Sequence, residues 1–481
     1  MRGLQNMTGS IDLPVVVIGA GPVGLAAAAH LLERGLTPLV LEAGPRAGAA
    51  IRDWGHTRLF SPWRYDVDAA AARLLAGTGW TAPDPEALPT GAELVEQYLE
   101  PLADVLAERI RTGARAVAVS RAGMDKTRTA NRESTPFLVR LQRTDGAVED
   151  VEASAVIDAS GTWATPNPLG QAGLPAPGEA EAVTAGRITA PLPDVTGRDR
   201  HRFSGRHVLV VGAGHSAANT LLELGALAET EPGTRISWAV RSADVTRVYG
   251  GEDRDELAAR GALGTRLRHL VESGVIEVHT SFTITRFTST AGRLSVRATT
   301  PTGDAELSVD LLVPATGFRP ALGMLAELRL ELDPAVDAPK QLGPLIDPEF
   351  HSCGSVAPHG EKLLAHPEAG FYIVGMKSYG RAPTFLLATG YEQVRSIAAA
   401  LAGDREAADD VQLVLPETGV CSTDLGGSCD LPALGPAGDS GEEQGCCAPQ
   451  AAEEPAEACC SGPQPVALER APLPLLSSSC C

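Results

Sequence analysis

One short pattern, present twice, constrains the fold of this chain more than any other feature. Both copies consist of a β-branched run, a glycine-rich turn and a helix-forming stretch. The two turns are Gly19-x-Gly21-x-x-Gly24 and Gly212-x-Gly214-x-x-Ala217. In such a turn the first glycine allows the tight bend, the second lets a pyrophosphate approach the backbone, and the third position keeps the helix close to its strand. Amides at the start of the helix then face the phosphates. The repeat therefore predicts two nucleotide-binding units.

The segments that follow the two turns come in the same order, which predicts an internal structural repeat. The first copy is predicted to have strands at 13–18 and 37–42, helices at 23–34 and 91–110, and meander strands at 117–119, 137–141 and 148–157. The second copy starts at 207–211 and ends its meander at 313, before a strand at 371–374 and a helix at 384–401. These patterns predict an α/β fold with two Rossmann-like dinucleotide-binding domains, each a three-layer unit of parallel sheet with a β-meander insertion.

Different residues end the second strand of each copy. Glu42 lies eighteen residues after Gly24, where a carboxylate would accept hydrogen bonds from a ribose. The equivalent strand in the second copy, 235–240, leads to Arg241 instead of an acid. An arginine there suits a ribose 2′-phosphate, which favours NADPH over NADH. An ordinary surface arginine remains the alternative, because arginine pairs with anions in many settings.

The acidic charge of the chain is concentrated at its C-terminal end. The formal net charge is −20, and from Gly403 onward fourteen Asp and Glu stand against two Arg, a net of −12. Such a surplus repels phosphate backbones, so nucleic acid and anionic membranes are not expected partners. Residues 1–10 do not resemble a secretory signal, and the apolar run 13–32 contains three glycines and two prolines. We therefore expect a cytoplasmic protein without a membrane span.

Four motifs occur in a fixed order along the chain, and together they resemble a known superfamily. They are GAGPVG at residue 19, DASGTW at 158, GAGHSA at 212 and ATGF at 315. This set is similar to the two-Rossmann flavoproteins, which include flavin-containing monooxygenases and thioredoxin-reductase-like enzymes. The resemblance covers roughly residues 12–402 and implies an enzyme that uses FAD and NADPH.

The resemblance also implies roles for individual residues and limits for the domains. The FAD contacts would be Gly19, Gly21, Pro22, Gly24 and Glu42; the NADPH contacts would be Gly212, Gly214, Ser216 and Arg241; Gly161 and Gly317 would line the turns between domains. The implied limits are 12–190 for the first part of the FAD-binding domain, 191–330 for the NADPH-binding domain, 331–402 for the second part of the FAD-binding domain, and 403–481 for a flexible acidic tail.

Two departures from the superfamily pattern bear on the type of reaction. Flavin monooxygenases carry FxGxxxH before the second glycine turn, whereas this chain has Val195-x-Gly197-x-x-x-His201, which lacks the aromatic residue. The monooxygenase subtype is therefore left open. Disulfide reductases carry a redox pair such as CxxC in the folded core, but Cys353 is the only cysteine before residue 421. An ordinary core dithiol mechanism is therefore excluded.

The stretches around Gly343, His351 and Gly375 are similar to flavoproteins found alongside bacterial arsenic-resistance genes.

The remaining eight cysteines lie in the tail: Cys421, Cys429, Cys446, Cys447, Cys459, Cys460, Cys480 and Cys481. Residues 421–481 contain too few aromatic and β-branched residues to form a core, so we expect a disordered arm. Adjacent thiols suit soft ions, which makes Cys446, Cys447, Cys459 and Cys460 candidates for binding a soft ion. The alternative is a tail without a role.

Three functions follow from these features. The first is a flavin-monooxygenase-like oxidation of a small soft nucleophile, such as a thiol-bound or trivalent metalloid compound. The second is a disulfide or metalloid reductase in which Cys480 and Cys481 carry electrons. The third is metalloid binding without turnover.

A small molecule is the expected partner, no metal centre is expected in the core, and a homodimer is left open. Arg58–Tyr65 and Lys377–Arg381 are expected to approach the flavin ring, without an assigned role.

Overall fold

The computed structural model describes residues 13–249, 258–290, 292–349, 356–382 and 385–413. The strands in these ranges are β1 (Val15–Ile18), β2 (Pro38–Leu41), β3 (Ile110–Arg111), β4 (Ala114–Arg121), β5 (Phe137–Arg143), β6 (Val148–Ala153), β7 (Ala155–Asp158), β8 (His207–Val211), β9 (Arg235–Ala239), β10 (Ile276–His279), β11 (Thr283–Thr290), β12 (Arg293–Thr300), β13 (Gly303–Val309), β14 (Leu311–Pro314) and β15 (Phe371–Ile373). The α-helices are α1 (Pro22–Glu33), α2 (Ala49–Asp53), α3 (Trp63–Asp66), α4 (Ala69–Ala76), α5 (Gly91–Leu94), α6 (Glu100–Val105), α7 (Glu179–Thr184), α8 (Arg200–Phe203), α9 (His215–Thr230), α10 (Ala258–Glu272), α11 (Gly343–Ile346), α12 (Glu361–Leu364), α13 (Leu387–Leu401) and α14 (Arg405–Asp409).

The first parallel sheet has the strand order β15-β7-β1-β2-β3. Its central strand β1 is buried on both faces, as expected for a β-branched run in a parallel sheet. Val15 and Val17 pack towards α1 and α13, whereas Val16 and Ile18 pack towards the meander β4-β5-β6. Each such side chain stabilises the fold by about 1.5–3 kcal/mol. The sheet is therefore the middle layer of three.

The second parallel sheet repeats this arrangement with the order β10-β9-β8-β14. Val208 and Val210 of its central strand β8 pack towards α9 and α10, and Leu209 and Val211 pack towards the meander β11-β12-β13. The predicted α/β fold with two three-layer Rossmann-like units is confirmed.

Both glycine turns lie where the strand order reverses. Strand β1 lies between β7 and β2, and β8 lies between β14 and β9. In open α/β sheets a crevice forms outside the carboxyl ends of the strands at this point, and ligands bind there. The two turns follow β1 and β8 directly, so each turn lines such a crevice.

The predicted single strand at 148–157 is wrong, because the chain changes sheets within it. β6 pairs antiparallel with β5, whereas β7 pairs parallel with β1. The break is at Ser154, whose amide donates to the Pro14 carbonyl at 3.0 Å and whose hydroxyl donates to the Leu13 carbonyl at 3.1 Å. Burial differs accordingly: side chains alternate along the solvent-facing β6, whereas every residue of β7 is buried.

The predicted helix at 91–110 contains a π-helical turn, Val95–Leu99, between α5 and α6. The cause is Pro101, which has no N–H to donate to the carbonyl of Gln97. That carbonyl instead accepts a hydrogen bond from the indole of Trp80 at 2.7 Å. The helix ends at Arg109, and the next two residues form β3.

Residues 403–413, which the sequence pattern assigns to the tail, include helix α14. Asp404 pairs with Arg34 at 3.0 Å, Arg405 pairs with Glu361 at 2.7 Å, and Ala408 is buried. Residues 414–481 lie outside the described residues, as do all nine cysteines. The domain limits at 190, 330 and 402 remain predictions. Within the described ranges, no helix is both long and apolar enough to cross a membrane.

Candidate functional site

The first glycine turn contains two glycines that the fold requires and one that it does not. Gly19 has φ +104°, and a Cβ there would lie 2.7 Å from the carbonyl oxygen of Ala159. A Cβ at Gly24 would lie 1.9 Å from the carbonyl oxygen of Gly19. A Cβ at Gly21, by contrast, would meet nothing within 4 Å. The space above Gly21 is therefore open on the side where a pyrophosphate would approach.

The second turn also contains a glycine that the fold requires and a glycine that it does not require. Gly212 has φ +134°, and a Cβ there would lie 2.0 Å from the carbonyl oxygen of Ala315. A Cβ at Gly214 would meet nothing within 4 Å. Ala217, at the third position, is fully buried against the core of its unit. Each unit therefore offers one glycine that faces open space.

The helices after the two turns begin without side-chain caps. Neither α1, which starts at Pro22, nor α9, which carries Ser216 in its first turn, has a capping side chain or an acidic residue there. Side chains cap some of the other helices: Asp68 accepts from the amide of Ala71 in α4, and Thr90 forms a capping box in α5. The uncapped amides and the positive end of the helix dipole suit a phosphate.

The residues that end the second strands differ in their surroundings. Glu42 is held by the turn itself, because its carboxylate accepts from the amides of Ala20 at 2.8 Å and Gly44 at 2.6 Å. Arg241 lies two residues beyond β9 and is exposed, and it pairs with no carboxylate among the residues that the structure describes. Glu42 is thus fixed beside the first glycine turn, whereas Arg241 is a solvent-exposed cation just beyond the equivalent strand of the second unit.

The two connections between the sheets run side by side. The segment after β7 contains Gly161, and the segment after β14 contains Gly317. Their residues Pro166 and Phe318 form an antiparallel bridge, and the amide of Asn167 donates to the carbonyl of Gly317 at 2.9 Å. Both glycines have positive φ angles, +68° and +79°. The structure therefore brings these two predicted site residues into one double connection.

Comparison with known proteins decides the family. The sequence pattern of the pyridine nucleotide-disulphide oxidoreductases matches residues 16–341. The chain belongs to this family. A ferredoxin–NADP reductase of Salinispora tropica is 30% identical to this oxidoreductase over 329 residues, which are 67% of this chain and 79% of that protein.

Solved structures share the fold of this oxidoreductase. A bacillithiol disulfide reductase from Bacillus cereus superimposes with a TM-score of 0.61 at 19% identity, over 82% of this chain and 99% of that one. An ornithine N-hydroxylase from Kutzneria sp. 744 gives 0.54 at 17% identity, over 82% and 100%. The protein is thus a pyridine-nucleotide oxidoreductase, and its two uncapped glycine turns suit two dinucleotides.

In this oxidoreductase a buried ion pair links the ends of strands β7 and β15 in the first unit. The sequence did not reveal this pair. The ammonium of Lys377 lies 2.7 Å from the carboxylate of Asp158, and both side chains are 0% exposed. The ammonium also donates to the hydroxyl of Ser160 at 3.1 Å, and that hydroxyl donates to Asp158 at 2.6 Å. Lys377 follows β15 and Asp158 ends β7. The expectation that Lys377 approaches the flavin ring remains untested, but its ammonium is committed to Asp158.

The segment after α2 of the oxidoreductase lies against the start of α9. The rings of Phe60 and His215 are 4.9 Å apart, and His56 lies 3.9 Å from Glu223. Burial raises the pKa of Glu223 to about 7, with a further contribution from Asp194. The Arg58–Tyr65 segment, expected near the flavin ring, therefore contacts the helix that begins at the second glycine turn. The sequence does not show this contact between distant segments.

One cavity of the enzyme lies beside the same segment. It has a volume of about 520 Å³, and Arg58, Trp63, Glu86, Glu93 and Gln97 are among the residues that line it. The cysteine candidates Cys446, Cys447, Cys459, Cys460, Cys480 and Cys481 lie outside the described residues.

Proposed function

We propose that this oxidoreductase is a monooxygenase-like enzyme that oxidises a small soft nucleophile, such as a thiol-bound or trivalent metalloid compound. The observation that carries the proposal is the distribution of cysteines. Only Cys353 precedes residue 421, so the two nucleotide-binding units hold no dithiol to accept electrons. The electron acceptor then comes from outside these units. When bound, FAD supplies hydride acceptance from NADPH and reaction with dioxygen.

The described residues suit separate tasks in this function. We assign the FAD pyrophosphate to Gly21 and the uncapped start of α1, and the adjacent ribose to Glu42. We assign NADPH to Gly214, Ser216 and Arg241. Gly19, Gly24, Gly212 and the double connection at Gly161 and Gly317 hold the two sites in place, since their packing leaves no room for side chains or requires positive φ.

Oxygen consumption tests the proposal directly. The purified full chain would receive NADPH with and without dioxygen, in the presence of a thioether, a thiol or arsenite. We expect substrate-stimulated oxygen uptake with one NADPH oxidised per oxygen consumed. The C480S/C481S variant should retain that activity. NADPH oxidation that proceeds without oxygen, given a disulfide, and is lost in C480S/C481S would instead support the reductase with terminal thiols.

A second candidate rests on the relative from Salinispora tropica. That protein is a ferredoxin–NADP reductase at 30% identity, so transfer of single electrons to a carrier protein is the alternative use of the same two cofactors. Anaerobic reduction of ferredoxin by NADPH, at a rate that exceeds substrate-stimulated oxygen uptake, would support this candidate.

Tight arsenite binding without any NADPH oxidation would leave metalloid binding without turnover as the function. The resemblance to arsenic-resistance flavoproteins stays a prediction.

A further inference from the structure

Three side chains with metal-ligating atoms converge between the two nucleotide-binding units. His56 follows α2, Asp194 precedes α8, and Glu223 lies on α9. One ligand atom of each lies within 4.8 Å of the other two, and the closest recorded approach is 3.9 Å, from His56 Nε2 to Glu223 Oε1. Distant parts of the chain therefore supply an imidazole and two carboxylates to one place.

Backbone amides orient both carboxylates. The two oxygens of Asp194 accept from the amides of Gly197 and Arg198, each at 2.9 Å, and Glu223 accepts from the amide of Val195 at 3.2 Å. A carboxylate has about four acceptor positions, so each group keeps lone pairs for another ligand. Such outer hydrogen bonds are what orient metal-binding carboxylates.

Gly197, the glycine of the Val195-x-Gly197-x-x-x-His201 segment, leaves room for the carboxylate of Asp194. A Cβ at Gly197 would lie 2.5 Å from both carboxylate oxygens of Asp194. Any other residue would therefore push the carboxylate away from its position. His201 of the same motif is exposed and takes no part in the cluster.

The imidazole faces the cluster through Nε2. This nitrogen lies 3.9 Å from Oε1 of Glu223, and the hydroxyl of Thr57 lies 3.4 Å from the same nitrogen. A metal-binding histidine uses one ring nitrogen as the ligand and leaves the other for a hydrogen bond. The guanidinium of Arg198, whose charge acts on His56, pairs with Asp199 at 3.6 Å, and its side chain is 66% exposed.

We propose that His56, Asp194 and Glu223 bind a divalent transition-metal ion that joins the two nucleotide-binding units. One imidazole and two carboxylates suit Mn²⁺ or Zn²⁺ and balance the charge of the ion. Ligand bonds of about 2.0–2.2 Å require the three atoms to approach one another by roughly 1 Å. Three protein ligands leave coordination positions for water.

Glu223 lies on helix α9, so an ion bound to it would affect the rate of turnover. Helix α9 starts at the second glycine turn, and His56 belongs to the first unit. The ion would therefore hold the NADPH-side helix against the FAD-side segment and restrict relative movement of the two units. We expect bound metal to slow NADPH oxidation.

Binding of Mn²⁺ to the full chain tests the proposal, with loss of the free-ion electron paramagnetic resonance signal as the readout. Mn²⁺ is the appropriate probe because it prefers oxygen and imidazole ligands, so the cysteines of the tail compete poorly. We expect one Mn²⁺ per chain in the unaltered protein. H56Q, D194N and E223Q should each weaken binding by more than about tenfold.

H279Q is the matched control. His279 is 18% exposed and lies 3.7 Å from Glu277, while His56 is 17% exposed and lies 3.9 Å from Glu223, but only His56 has a second carboxylate in its cluster. H279Q should bind Mn²⁺ like the unaltered protein. Equal binding by H56Q and the unaltered protein, equal loss in H279Q, or no binding at all overturns the proposal.

Correct folding of each variant is checked by its FAD content and circular dichroism. Three separate ligand variants keep the test decisive if one of them does not fold. Mn²⁺ binding does not depend on NADPH oxidation or on any substrate, so its outcome is distinct from that of the oxygen-uptake experiment.

Discussion

At the scale of single residues, the two kinds of glycine in each turn lead to opposite expectations. A Cβ at Gly212 would collide with the carbonyl of Ala315, whereas one at Gly214 would meet only open space. We therefore expect G212A to lower stability substantially. G214A should unfold at the same temperature as the unaltered protein but bind NADPH weakly, because its methyl group fills the pyrophosphate position. Thermal unfolding and NADPH titration of both variants check this. Normal NADPH affinity in G214A would contradict the assignment of that crevice.

Arg241 determines the choice of nicotinamide cofactor in our assignment. A lost charged hydrogen bond is worth about 1.5–3 kcal/mol, or roughly 10–100-fold in affinity. We expect R241A to raise KM for NADPH by that factor and to leave KM for NADH unchanged. R235A, an exposed arginine at the other end of β9, is the control and should change neither constant. Equal losses with both cofactors would show that Arg241 does not contact the 2′-phosphate.

Asp66 gives the fold a pH dependence. Burial raises the pKa of its carboxyl to about 7 from its ordinary 3.8, and one of its oxygens has no hydrogen-bond partner among the described residues. Between about pH 4 and pH 7 the unfolded chain is ionised here while the folded chain keeps the proton. The folded state then binds more protons, so stability falls as pH rises, by up to about 1.4 kcal/mol per pH unit.

The D66N variant removes this titration. Its free energy of unfolding, relative to the unaltered protein, should increase from about pH 4 to pH 7 and then stay constant. Urea unfolding at several pH values measures the difference, and other titrating groups cancel in the comparison. A difference independent of pH would show that Asp66 is ionised in the folded state.

At the scale of elements, the pair Lys377–Asp158 fastens the end of β15 to the end of β7. Removal of one partner leaves a buried charge unpaired, which costs about 3–5 kcal/mol. We expect K377M to lose about that much stability and the double variant D158N/K377M to recover part of it. R140M, which breaks the exposed Arg140–Asp150 pair, should change stability little. Chemical unfolding of the three variants and the unaltered protein checks this, and a K377M protein as stable as R140M would contradict it.

The elements show where sequence patterns suffice and where they fail. Buried runs such as 15–18 and 208–211 predict parallel strands, because both faces of these strands are covered. The run 148–157 predicts one strand, because a β-branched pattern does not show that the chain changes its partner sheet. Likewise, the period of 91–110 predicts a helix and does not show the π-helical turn that Pro101 causes, nor that Trp80 donates to the freed carbonyl of Gln97.

At the scale of the whole molecule, the described contacts of the C-terminal segment end near Gln412, whose amide donates to Glu392 at 3.2 Å. We expect a chain that ends at residue 413 to keep its FAD content and to change its free energy of unfolding by less than about 0.5 kcal/mol. FAD absorbance and urea unfolding measure this. A large loss of stability would show that residues 414–481 contribute to the folded units.

The sequence by itself determined the repeated βα units, the two glycine turns and the acid or arginine that follows each second strand. These features are local, since turn geometry and strand burial depend on neighbouring residues. Only the tertiary structure decided the Lys377–Asp158 pair, the contact of Phe60 with His215 and the convergence of His56 with Asp194 and Glu223. Their partners are separated by more than a hundred residues, and chain topology, which no short pattern records, brings them together.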